Sequence, residues 1–169
     1  RSYDDSIRAA DLGASVSLDS GGGDIIIRGQ GGGVGVGFSG SGTSVDSGTG
    51  TITIAGLGVS NYGVWFGGSV AINSDSTDST AINISGTSTN DYGIFADSGV
   101  SNLLIQSTSS TADTGDIIIT GTGPDIGIGF DNFTSGYRTQ ILTVKGDITL
   151  NAEGTGNRLF WTNADAGFY

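Results

Sequence analysis

Three short apolar motifs recur in fixed order along this chain, and no other feature restricts its fold as tightly. The first is an Ile-rich run: Asp24-Ile-Ile-Ile-Arg-Gly, Thr51-Ile-Thr-Ile-Ala-Gly, Ala81-Ile-Asn-Ile-Ser-Gly, Asp116-Ile-Ile-Ile-Thr-Gly and Asp147-Ile-Thr-Leu-Asn-Ala, with starts 27, 30, 35 and 31 residues apart. The second follows ten or eleven residues later as Val34-Gly-Val-Gly-Phe, Tyr62-Gly-Val-Trp-Phe, Tyr92-Gly-Ile-Phe-Ala and Ile126-Gly-Ile-Gly-Phe, with a degenerate form at Asn157-Arg-Leu-Phe-Trp. The third reads Ser15-Val-Ser-Leu, Ser69-Val-Ala-Ile, Asn102-Leu-Leu-Ile and Gln140-Ile-Leu-Thr-Val, and shrinks to Ser44-Val-Asp in the first full repeat. Short β-branched runs bounded by Gly, Ser and Asn are strand signals. Three strands per repeat of this length make one turn of a solenoid.

The fold class expected is therefore all-β: a three-sided parallel β-helix of about five coils, each of roughly 27–35 residues. An antiparallel sandwich would share the alternation, but it would not need an ordered three-part repeat. Residues 14–169 are expected to form the coils, as a single domain or a segment of a longer chain, with residues 1–13 as an N-terminal cap or connection. Side chains alternate across a strand, so Ile25, Ile27, Ile52, Ile54, Ile82, Ile84, Ile117, Ile119, Ile148 and Leu150 are assigned to the interior. On the second strand the same rule places Val34, Val36 and Phe38 inside, with Tyr62, Val64 and Phe66, then Tyr92, Ile94 and Ala96, then Ile126, Ile128 and Phe130.

Composition limits the chemistry. Six Lys and Arg against seventeen Asp and Glu give a net charge of −11, which disfavours nucleic acid and anionic membrane surfaces as partners. Asp favours turns, where its carboxylate bonds the local backbone, and that accounts for most of the charge. Cys, Met and His are absent, so there is no disulfide framework, no thiolate nucleophile and no Ser-His-Asp triad. The runs Gly21-Gly-Gly and Gly31-Gly-Gly lack the Gly-Lys-Ser/Thr ending of a phosphate loop and read as turns. No apolar stretch reaches the ~20 residues of a membrane span. The mix of Ser, Thr, Gly and Asp with no Cys suits a secreted protein, and neither an enzyme nor an organic cofactor is expected.

The stretch Asn90-Asp-Tyr-Gly-Ile-Phe-Ala-Asp-Ser-Gly through Gly115-Asp-Ile-Ile-Ile-Thr-Gly-Thr-Gly resembles the passenger repeats of bacterial autotransporters and of filamentous-haemagglutinin-like adhesins. The resemblance is one of repeat style and spans roughly residues 14 to 156. It implies a right-handed β-helix, secretion to the cell surface, and an adhesive or filament-forming role; it names no ligand.

Two sets of residues are candidates for a site. Asp116 and Asp147 begin the same strand on adjacent coils, and two carboxylates about 5 Å apart would share a cation such as Ca²⁺ or splay into solvent. On the outside of the second strand, alternation places Gly37, Trp65, Phe95, Gly129 and Phe160 in one column. Exposed aromatics on a polar surface mark contact with a sugar ring or another protein; a flanking segment over residues 124–139 covering them is the competing explanation. The expected function is an extracellular structural or adhesive solenoid, whose partners are further coils stacked end to end, a surface glycan or a protein receptor. The alternative is a carbohydrate-binding or carbohydrate-cleaving β-helix of the tail-spike or lyase type.

Overall fold

The structure, a computed structural model, describes residues 10–13, 15–97, 102–132 and 138–163. Its strands form three parallel sheets, each built from every third strand of the chain. The six-stranded sheet orders β1 (Ala10–Asp11), β4 (Val36–Phe38), β7 (Val64–Phe66), β10 (Tyr92–Ala96), β13 (Ile126–Asn132) and β16 (Asn157–Asn163). The second sheet holds β2 (Ser17–Asp19), β5 (Thr43–Asp46), β8 (Val70–Ser74), β11 (Asn102–Ser107) and β14 (Arg138–Thr143). The third holds β3 (Ile25–Gly31), β6 (Ile52–Gly58), β9 (Thr80–Ser88), β12 (Asp116–Thr122) and β15 (Ile148–Glu153). The architecture is a three-sided parallel β-solenoid. Ala10 and Asp11, within the segment expected to be an N-terminal cap or connection, pair with Val36 and Gly37.

Register is set by the Ile columns. Ile25, Ile52, Ile82, Ile117 and Ile148 are successive partners, as are Ile27, Ile54, Ile84, Ile119 and Leu150. A slip of one residue would turn both of these columns outward, at on the order of 1.5–3 kcal/mol per side chain. The core runs along the axis and is closed from the second side by Val45, Ile72 and Ile105, all with no exposed surface. The short Ser44-Val-Asp motif is thus a working strand. Phe38 and Phe66 stack inside at 5.1 Å between centroids, like residue over like residue.

One corner departs from simple alternation. Val34, Tyr62, Tyr92 and Ile126 are only half-buried, whereas their neighbours two residues on, Val36, Val64, Ile94 and Ile128, have no exposed surface. Glycine is the cause. A Cβ on Gly56 would overlap the Gly63 carbonyl oxygen, and one on Gly63 would lie 2.6 Å from the Gly93 oxygen. Backbone therefore packs on backbone where the third sheet meets the six-stranded sheet, and the chain swings around each glycine. The residue before it is carried out of the interior.

The corner between the second and third sheets accounts for two of the aspartates. Asp19 Oδ1 accepts from the Gly21 N–H and Asp46 Oδ1 from the Gly48 N–H, both at 2.8 Å, and these glycines take φ of 63° and 56°. The same side-chain-to-backbone turn is repeated one coil apart.

Candidate functional site

Parallel pairing brings Asp11, Gly37, Trp65, Phe95 and Gly129 into one row across the six-stranded sheet. The backbone of Phe160 extends the row opposite Gly129; its side chain lies outside the described residues. The expected outer column of Trp65 and Phe95 is thus in place, and two residues assigned to the interior join it. The Tyr62 ring lies 6.2 Å from Trp65, 5.1 Å from Phe95 and 5.7 Å from Tyr92. Tyr92 in turn lies 4.9 Å from Phe95. Trp65 and Phe95 are joined through Tyr62, and all four rings are half-buried. Sequence alternation missed the tyrosines because it carried a strict strand period through Gly63 and Gly93, where backbone of the next coil packs against the chain. A Tyr-Gly pair opening each strand was the available signal.

Carboxylates fringe the rings. Burial raises the Tyr62 hydroxyl pKa above its ordinary value, and the charges of Asp91 and Asp97 raise it further. Tyr92 is raised first by burial, then by Asp91, Asp125 and Asp131. Both phenols stay protonated at neutral pH. Asp91 is itself raised, by burial and then by the neighbouring Asp125. The Trp65 Nε1 is buried with no hydrogen-bond partner, and the six-membered ring of the indole is laid against Gly67.

Beside Trp65 the surface opens into a groove of about 220 Å³ lined by Asp11, Gly31, Gly32, Gly33, Val34, Gly37 and Trp65. Asp11 Oδ1 accepts from Ser39 Oγ at 2.6 Å. The segment weighed as a cover over the aromatics is for the most part coil: residues 126–132 are β13 and 138–143 belong to β14, while 133–137 lie outside the described residues.

Asp116 and Asp147 do fall side by side, but as a hydrogen-bonded step between coils. Asp116 Oδ1 accepts the Asp147 N–H at 2.8 Å. Asp24 repeats this step three strands away in the same sheet, taking the Thr51 N–H at 2.8 Å and its hydroxyl at 2.9 Å. Among the described residues no group of three or more acids or other metal-ligating side chains comes together. No helix there is long and apolar enough to cross a membrane.

No family model, no curated protein and no solved structure matches this chain.

Proposed function

We propose that the chain is an extracellular structural and adhesive solenoid, either a cell-surface adhesin segment or a filament-forming subunit, and not an enzyme. One observation carries the reading: equivalent residues stack in register through all three sheets, and the stack has the same design at its outer strands as within. Leu18 and Ile25 at one end, and Ile148, Leu150 and Ala152 at the other, pack on the core but are only partly buried. Their coils lie on the outer strands β2, β3 and β15. Such strands carry a row of N–H and C=O groups suited to pairing with another strand. Further coils, from the same polypeptide or from a second copy, would continue both the ladder and the core. The surface rich in Ser, Thr and Asn and the absence of Cys support secretion, in the style of the autotransporter passengers and haemagglutinin-like adhesins.

Negative-stain electron microscopy of the purified chain, with and without calcium, tests this. Uniform rods or fibres one solenoid wide, growing with protein concentration, are expected. Compact particles of fixed size at every concentration would overturn the stacking role. Rods that form only with calcium would instead assign the inter-coil carboxylates to metal.

A further inference from the structure

We infer that the groove at Gly37 is a subsite for one uncharged pyranose residue of a glycan, which rests on the adhesive reading and gives it a ligand chemistry. The first argument is a glycine that the fold does not require. At Gly35, Gly56 and Gly63 a Cβ would run into backbone. At Gly37 it would meet only side-chain atoms at ordinary distances: Asp11 Oδ1 at 3.5 Å, Trp65 Cε3 at 3.7 Å and Val34 Cγ1 at 3.7 Å. No positive φ is recorded there either. Glycine inside a strand costs about 0.5–1 kcal/mol relative to alanine, and where no backbone needs the room it marks the close approach of something else. At Gly32, which also lines the groove, a Cβ would meet nothing within 4 Å.

The second argument is what the groove would accept. The row Gly37–Trp65–Phe95 lacks a side chain at Gly37, beside an indole that already stacks on Tyr62. A ring seated there continues the ladder. The lining is apolar on Val34, Trp65 and the glycines, with one carboxylate, Asp11, held by Ser39. A pyranose matches this pattern: its C–H face packs on an aromatic ring and its hydroxyls donate to a carboxylate. Charge narrows the class. Asp11, on a chain of net charge −11, repels uronic and sialic acids and favours neutral, hydroxyl-rich sugars. At about 220 Å³ the groove is below the usual range for a drug-sized ligand and suits a single ring.

Calorimetric titration of the full chain with maltohexaose, cellohexaose, xylohexaose and a β-galactan hexamer tests the proposal, with polygalacturonate and hexalysine as charged comparators. Binding of at least one neutral oligosaccharide is expected, weakened about tenfold or more by Gly37→Leu, which fills the groove. Gly32→Leu adds bulk at a second lining residue and serves should the first variant misfold; unchanged circular dichroism and Tm identify a folded variant. Trp65→Phe should keep more affinity than Trp65→Ala. Absence of binding by all four neutral probes, binding indifferent to both leucine variants, or groove-dependent binding of hexalysine or polygalacturonate in their place would overturn it. Micrographs of the same preparation separate the two readings, since rods without sugar binding sink the subsite alone.

Discussion

Glycine plays two opposite parts in this chain, and single substitutions distinguish them. Gly56 sits where the third sheet meets the six-stranded sheet. An added Cβ there would overlap the Gly63 carbonyl and lie 3.0 Å from the Val36 nitrogen. Both obstacles are backbone, so relief means moving a strand. Gly56→Ala is expected to destabilise by about 3 kcal/mol or more, at or beyond the upper end for overpacking, read as a drop in the urea midpoint at constant m. Gly37→Ala meets only side chains at van der Waals distance, and restricting the unfolded chain favours the alanine by about 0.4–1 kcal/mol. Stability equal to or above that of the parent is expected. Equal losses at the two positions would refute the assignment of Gly37 to the groove rather than to the fold.

Among the elements, coils are joined by carboxylates as well as by the ladder. The Asp24 pKa is lowered by the Thr51 N–H, then by the Thr51 hydroxyl, with slight burial opposing. A depressed carboxyl pKa means stability that is present above the unfolded value of 3.8 and is lost as pH falls through the folded one. Asp24→Ala should therefore lower Tm at pH 6 and have little effect once the carboxylate is protonated. Because Asp24 is exposed, the loss at pH 6 should stay below about 1 kcal/mol. Thermal melts of parent and variant across this range check it, and a difference that is constant with pH would refute it. The strands themselves were legible from the sequence. The interior Ile pairs from Ile52 to Ile119 are almost wholly buried, and the weak Ser44-Val-Asp motif pairs in register with β2 and β8. What alternation could not supply was the corner. Gly63 and Gly93 look like ordinary strand glycines in a line of letters, yet each lets backbone from the next coil approach and turns the preceding tyrosine outward. The groove was hidden for a related reason. It is made by Asp11, Gly31–Gly33 and Trp65, which lie far apart in sequence and meet only through the stacking of coils.

For the whole molecule, stability should be graded along the axis. In a solenoid each coil touches only its neighbours, so folding free energy is close to a sum of coil and interface terms. β6 and β9 have a paired strand on either side, whereas β3 and β15 are outermost in their sheet. Exposure follows the same gradient: Ile54 and Ile84 have no exposed surface, while Ile25, Ile148 and Leu150 are half-buried. Hydrogen exchange of the dilute protein should be slowest for the ladder amides of β6 and β9 and faster toward β3 and β15, reflecting opening of terminal coils before the centre. Uniform protection would instead mean that the stack opens as one cooperative unit. The same experiment bears on assembly. If copies stack end to end, the amides of β3 and β15 acquire partners, so their protection should rise with protein concentration while that of β6 and β9 changes little. Protection of the outer strands that is independent of concentration, in a sample whose micrographs show fibres, would mean that the fibres are held by the faces of the solenoid and not by its ends.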